Sequence, residues 1–238
     1  MPGIWEDQWF AISKDGAAYG WEHDTAYRYT AVVESTPVRD ASREPAWNFR
    51  SELFLFGTNR APSLRLSVEA LCWRNDTMSP IRVTWTPDAP LATLELTFDA
   101  EEQARRVVVV VHKFPRGSTL ILDDYIPRVC LEINASRMVE RAALIERPEL
   151  SLRLFRCGDP PDGKTREYTV RLEGRDVMTW DGEKHPVLKY VEVGPPEETR
   201  DVYYVCKELG LMAGRIRGYD IVRLRGNPFE ATLPAREK

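Results

Sequence analysis

Three histidines, four cysteines and one glycine-bounded loop are the positions from which chemistry in this 238-residue chain would start. His23, His112 and His185 stand far apart, outside any HExxH ligand spacing, and the chain has no GxSxG elbow. A hydrolytic site would therefore have to be assembled from distant residues. His112 closes a run of valines and reads as a strand-end histidine, and His185 precedes Pro186 in a turn. Cys72, Cys130, Cys157 and Cys206 form no CxxC pair, so the reading is buried free thiols and no metal site. Gly158-Asp159-Pro160-Pro161-Asp162-Gly163-Lys164-Thr165 fits the spacing of a phosphate-cradling loop. Its two prolines lack the N–H groups that a phosphate needs, its aspartates repel one, and the residues that follow alternate like a strand. It reads as a hairpin loop. Asp123 and Asp124 are adjacent, so in extended chain they face opposite ways and make no carboxylate pair. The sequons at Asn75 and Asn134 are read as chance.

Charge narrows the partner classes. Lys plus Arg number 33 and Asp plus Glu 37, a net charge of −4, which disfavours a polyanion partner. Trp5, Trp9, Tyr19, Trp21, Tyr27 and Tyr29 crowd the start, but only Lys14 and Arg28 accompany them, too few cations for stacked nucleic acid. The longest aliphatic run, Val107 to Val111, is far short of the roughly 20 residues that span a bilayer.

The elements that must position these residues are mostly strands. Trp9 to Ser13 and Ala18 to Glu22 flank Asp15-Gly16, a turn pair suited to positive φ, and predict a hairpin. Period-2 alternation runs through Phe49 to Leu55, Leu64 to Ala70 and Leu94 to Phe98. Val107 to Phe114 and Ser118 to Leu122 flank Pro115-Arg116-Gly117, and the all-apolar valines suggest a central strand. Between Ile126 and Ile145 the spacing of Val129, Ile133, Met138, Ala142 and Ile145 predicts an amphipathic helix over roughly 127–145. Strands resume from Leu150, with a turn at Asp181-Gly182. The fold predicted is mainly β: a single large curved antiparallel sheet, a half-barrel, with that helix on its concave face. The chain reads as one domain over 1–238, with Pro37 to Pro45 and Gly194 to Thr199 as exposed loops and a frayed tail from about 227.

Trp9-Phe10-Ala11-Ile12, Asp15-Gly16 and Tyr19-Gly20-Trp21-Glu22-His23 resemble the opening of certain uncharacterised bacterial domains. These are related to the lipoprotein-carrier (LolA-like) half-barrels, and similar openings precede some transglutaminase-like domains. Tyr168 to Gly174 and Tyr203 to Arg215 are similar to the late strands of the same domains. The resemblance implies a half-barrel gripping helical elements on its concave side, a space in which related carriers hold acyl chains. It carries over no catalytic residue. Such families are usually exported, whereas MPGIWEDQWF has neither a basic nor an apolar leader segment.

Together these readings predict a non-catalytic binding domain for an apolar or acyl ligand or a protein segment, needing no cofactor. The alternatives are an adaptor docking a partner through its sheet, or a hydrolase with a dispersed site. Trp9, Trp21, Trp180, Tyr190 and Tyr203 are the candidate ligand-binding aromatics of the concave face. The interior is expected to be apolar and free of reactive groups. The expected compartment is the cytoplasm, or the periplasm if a signal precedes the sequence given.

Overall fold

The computed structural model describes residues 4–33, 42–56, 62–87, 92–98, 107–113, 118–122, 129–155, 165–193 and 200–230. Eight strands come first: β1 (Ile4–Lys14), β2 (Ala17–Val33), β3 (Ser42–Phe56), β4 (Pro62–Trp73), β5 (Pro80–Pro87), β6 (Ala92–Phe98), β7 (Val107–Lys113) and β8 (Ser118–Leu122). A two-residue strand β9 (Cys130–Leu131), a 3-10 turn at Glu132–Asn134 and the helix α1 (Ala135–Leu144) follow. Six strands complete the chain: β10 (Glu149–Phe155), β11 (Thr165–Trp180), β12 (Glu183–Glu192), β13 (Val202–Cys206), β14 (Gly210–Ile216) and β15 (Tyr219–Arg223).

All fifteen strands belong to one sheet in the order β8-β7-β6-β5-β4-β3-β2-β1-β15-β14-β13-β12-β11-β10-β9. Two up-and-down meanders are thus sewn together where β15 pairs antiparallel with β1, Ile12 opposite Ile221. The parallel pair β9–β10 is bridged by α1, because parallel neighbours need a crossover. The sheet curls into a barrel-like shape, and its inner faces share one core with the helix residues Met138, Val139, Ala142 and Ala143.

Both Asp-Gly turns form as expected. Asp15 and Gly16 take φ of 50° and 77°, and Asp181 and Gly182 take 56° and 79°, the paired left-handed residues of a tight hairpin. Arg217 and Gly218, at 53° and 80°, make a third such turn that the sequence reading passed over.

Three expectations are corrected. The helix is shorter than 127–145 because Cys130 and Leu131 pair with Leu154 and Phe155 as a buried strand. At the helix entry Asn134 makes no side-chain cap. Its amide donates to Cys72 Sγ at 3.5 Å, and its carbonyl oxygen accepts from Arg137 at 3.2 Å. The valine strand β7 is next to the sheet edge and not central. The tail expected to fray from about 227 instead starts with a turn over 227–230 that seats Phe229 against Trp9, Trp21 and Phe54, with ring centroids 5.8, 5.0 and 5.1 Å apart, and 231–238 lie outside the described residues. Pro115-Arg116-Gly117, Asp123-Asp124, Cys157, residues 194–199 and most of the glycine-bounded loop lie outside the described residues. That loop links β10 to β11 across the Phe155–Thr165 pair, so a strand follows it, not a helix N-terminus.

Candidate functional site

Alternation along the strands decides what faces inward. On β1 the inward set includes Glu6, Phe10 and Ile12, and on β2 it includes Glu22, Asp24 and Ala26. The neighbouring strands β3 and β4 add Ser51, Leu53, Leu66 and Val68, and the second meander adds Leu154, Tyr203, Leu211 and Ile221. Between them lies a cavity of about 270 Å³. At roughly 30 Å³ per water-sized group, this holds about nine such groups. Most of the wall is aliphatic or aromatic. Glu22, Asp24 and Ser51 form a polar strip, and Glu132, Arg166, Asp201 and Arg217 are also in the lining.

The apolar interior expected from sequence is therefore interrupted. Arg137 on α1 is only 3% exposed, and it points between β1 and β2. Its guanidinium lies 3.5 Å from Glu6 and 3.3 Å from Asp24, and 4.8 Å from the Phe49 ring centroid. Burial alone would weaken its charge, but Asp24 and Glu6 outweigh burial and hold its pKa above the ordinary value. Glu140, one turn further along α1, accepts the Leu211 N–H at 2.6 Å. Burial, reinforced by repulsion from Glu6, pushes its carboxyl up to about 8. Glu22 accepts from Ser51 Oγ at 2.9 Å, and burial with Asp24 alongside pushes it up to about 7. Burial also raises Glu6 against the pull of Arg137. Four carboxyls thus surround one fully buried guanidinium, with the half-buried Arg223 nearby. Protons on some of them balance the charge near neutral pH.

A second polar group stands in the opposite wall. The hydroxyls of Tyr168 and Tyr203 lie 2.5 Å apart, and both reach Asp201 Oδ2, at 3.4 and 3.2 Å. Asp201 Oδ1 accepts the Arg217 N–H at 2.7 Å. Burial is the first cause that lifts both phenols far above their ordinary range, so they stay protonated.

Of the five aromatics proposed from sequence, the structure brings two to the inner face. Tyr203 lines the cavity. Tyr190 packs in the same core and donates to the Arg147 carbonyl at 2.8 Å, away from the cavity lining. Trp9 and Trp21 alternate with Phe10 and Glu22 and so stand on the opposite face. There the Trp9 ring stacks on His23 at 4.0 Å and 7°, and Trp21 meets Phe56 at 5.1 Å. Trp180 packs against a separate small cluster of Val187, Cys206 and Met212. The residues missed were Glu22, Asp24, Arg137 and Glu140. The available signal was that Glu22 and Asp24 share one parity of β2 with the small Ala26, the mark of a face meeting something packed close.

His23 and His185 do not enter the cavity lining. His23 Nε2 is 2.8 Å from Asp7 and its Nδ1 is 3.4 Å from Glu52, two carboxylates and no nucleophile. His185 meets Trp180 edge-on at 6.0 Å. The side chain of His112 lies outside the described residues. Cys72 is buried, Cys130 and Cys206 are buried free thiols, and burial pushes Cys130 up to about 12. Among the described residues no cluster of His, Cys, Asp and Glu has metal-ligand geometry, and no helix is long and apolar enough to cross a membrane.

No family model and no curated protein matches the chain. A solved structure, the beta-barrel-like protein of the domain of unknown function DUF1849 from Brucella abortus, is similar to it in fold. The TM-score is 0.49 and the identity 7%, over 93% of this chain and 96% of that one.

Proposed function

We propose that the chain is a non-catalytic binding domain that holds a small, largely apolar molecule inside its curled sheet. The observation that carries the reading is the cavity of about 270 Å³ between the two meanders, walled by Phe10, Leu53, Leu66 and Ile221. Apolar guests gain about 25 cal/mol per Å² of surface removed from water, and a preformed space spares the cost of opening one. The resemblance of the opening residues to those of domains related to lipoprotein-carrier half-barrels is in keeping with this reading, since such carriers hold acyl chains in their concave space. 1-Octanol is a probe of suitable size. Calorimetric titration is expected to give saturable 1:1 binding, and Leu53→Trp, which fills the space, is expected to weaken it about tenfold or more, roughly 1.4 kcal/mol. No binding to a protein of unchanged circular dichroism would contradict the proposal.

One observation favours a second reading: Glu22, held near 7 beside Asp24, has the acidity of a general acid–base. A guest that is recovered chemically unchanged after long incubation supports binding, and a converted guest supports catalysis.

A further inference from the structure

We infer that the guest of this cavity carries a cationic head, an alkylammonium being the simplest case, received by Asp24 and Glu22 while its tail lies along Phe10, Leu53 and Ile221. This rests on the cavity-binding reading above and names the class of molecule it would take. Asp24 lines the cavity yet is only 9% exposed. One of its oxygens, Oδ2, pairs with Arg137 at 3.3 Å. The other, Oδ1, is buried with no hydrogen-bond partner. A buried acceptor left so costs about 1–3 kcal/mol, and an ammonium brings the N–H donors it lacks.

Charge points the same way. Once Glu22 and Glu140 release their protons, at about pH 8, the four carboxylates Glu6, Glu22, Asp24 and Glu140 outnumber the buried Arg137 with the half-buried Arg223 by two. The cavity's own cations already face acids, although Arg166 Nε is itself buried with no hydrogen-bond partner. Arg166 is paired with Glu192 at 3.2 Å and Arg217 with Glu132 at 3.6 Å. A carboxylate head would meet Glu22 and Asp24 as a like charge, and a hydroxyl would answer Oδ1 without relieving the charge excess.

Binding should also displace the proton that Glu22 holds at neutral pH. The groups facing Glu22 are Asp24 on its own strand, Ser51 on β3, Arg217 in the β14–β15 turn and Arg137 on α1. Asp24, the one base among them, is engaged by Arg137 and by the bound ammonium, so the proton leaves to solvent. Affinity for an alkylammonium, which stays protonated from about pH 6 to 8, therefore rises with pH through about 7, whereas affinity for an alcohol does not.

The test is calorimetric titration of the whole chain with octylammonium, 1-octanol and octanoate at pH 6 and pH 8. Octylammonium is expected to bind at least tenfold more tightly than 1-octanol at pH 8, by a smaller factor at pH 6, and octanoate more weakly than either. Asp24→Asn is expected to bring the preference for octylammonium over 1-octanol below threefold. Glu22→Gln is expected to remove its pH dependence and serves if the Asn variant does not fold. Octylammonium and 1-octanol binding within threefold of each other, or octanoate binding best, would overturn the inference and leave the cavity reading standing. No binding of any of the three would overturn both.

Discussion

Arg137 is the residue on which the interior charge balance turns. It is the one guanidinium among the described residues that is buried against Glu6 and Asp24 together, and taking it away leaves carboxylates with no partner in a dry setting. Breaking such a buried pair costs about 3–5 kcal/mol. Arg137→Met is expected to lose that much in urea unfolding at pH 8 and less at pH 5, where protonation relieves the carboxyls. A loss under about 1 kcal/mol at pH 8 would contradict the pairing. Glu140 and Glu22 set the pH dependence. Their folded pKa values, about 8 and about 7, lie above the unfolded value of 4.5, so between these limits the folded chain holds protons that the unfolded chain has released. Stability is thus fully present below about 4.5 and falls as pH rises toward 8. Glu140→Gln keeps an oxygen for the Leu211 N–H and removes the charge. Its melting temperature at pH 8.5 is expected to exceed that of the parent by about 3 °C or more, with little difference at pH 5.

At the scale of elements, the turns were the most legible part. Asp15-Gly16 and Asp181-Gly182 announce positive φ by residue type alone, whereas Arg217-Gly218 does so only through its glycine. The extent of the helix was less legible, because Val129 and Ile133 fit a helical stripe as well as they fit the short strand and 3-10 turn they occupy. The faces of β1 and β2 were least legible. Trp9 and Phe10 are both apolar, so alternation shows that two faces exist without showing which one meets the core. Choosing the aromatic parity put Trp9 and Trp21 inside and left Glu22 and Asp24 to solvent, the reverse of the structure. What makes the outer parity habitable for tryptophan is the segment after β15: Phe229 covers Trp9 and Trp21 edge-on. Phe229→Ala is expected to lower stability by about 1–2 kcal/mol in chemical denaturation and to raise acrylamide quenching of tryptophan emission. Unchanged quenching would contradict the contact.

The whole molecule depends on a pairing that no local pattern encodes. β1 and β15 are the first and last strands, and their union turns two meanders into one sheet around α1. That closure sets Phe10 and Ile12 across from Leu154, Leu211 and Ile221 and creates the cavity, which no single segment contains. Sequence reading reached a curled sheet around a helix from strand number and the single amphipathic stretch. It did not reach the cavity's ionisable strip, since Arg137, Glu6 and Asp24 meet only after the two halves join. The most direct test of the account is where a guest sits. With methyl-labelled protein and octylammonium, intermolecular nuclear Overhauser effects are expected between the guest's alkyl protons and the methyl groups of Leu53, Leu66 and Ile221. Effects to the Trp9, Trp21 and Phe229 rings of the outer face instead would contradict it.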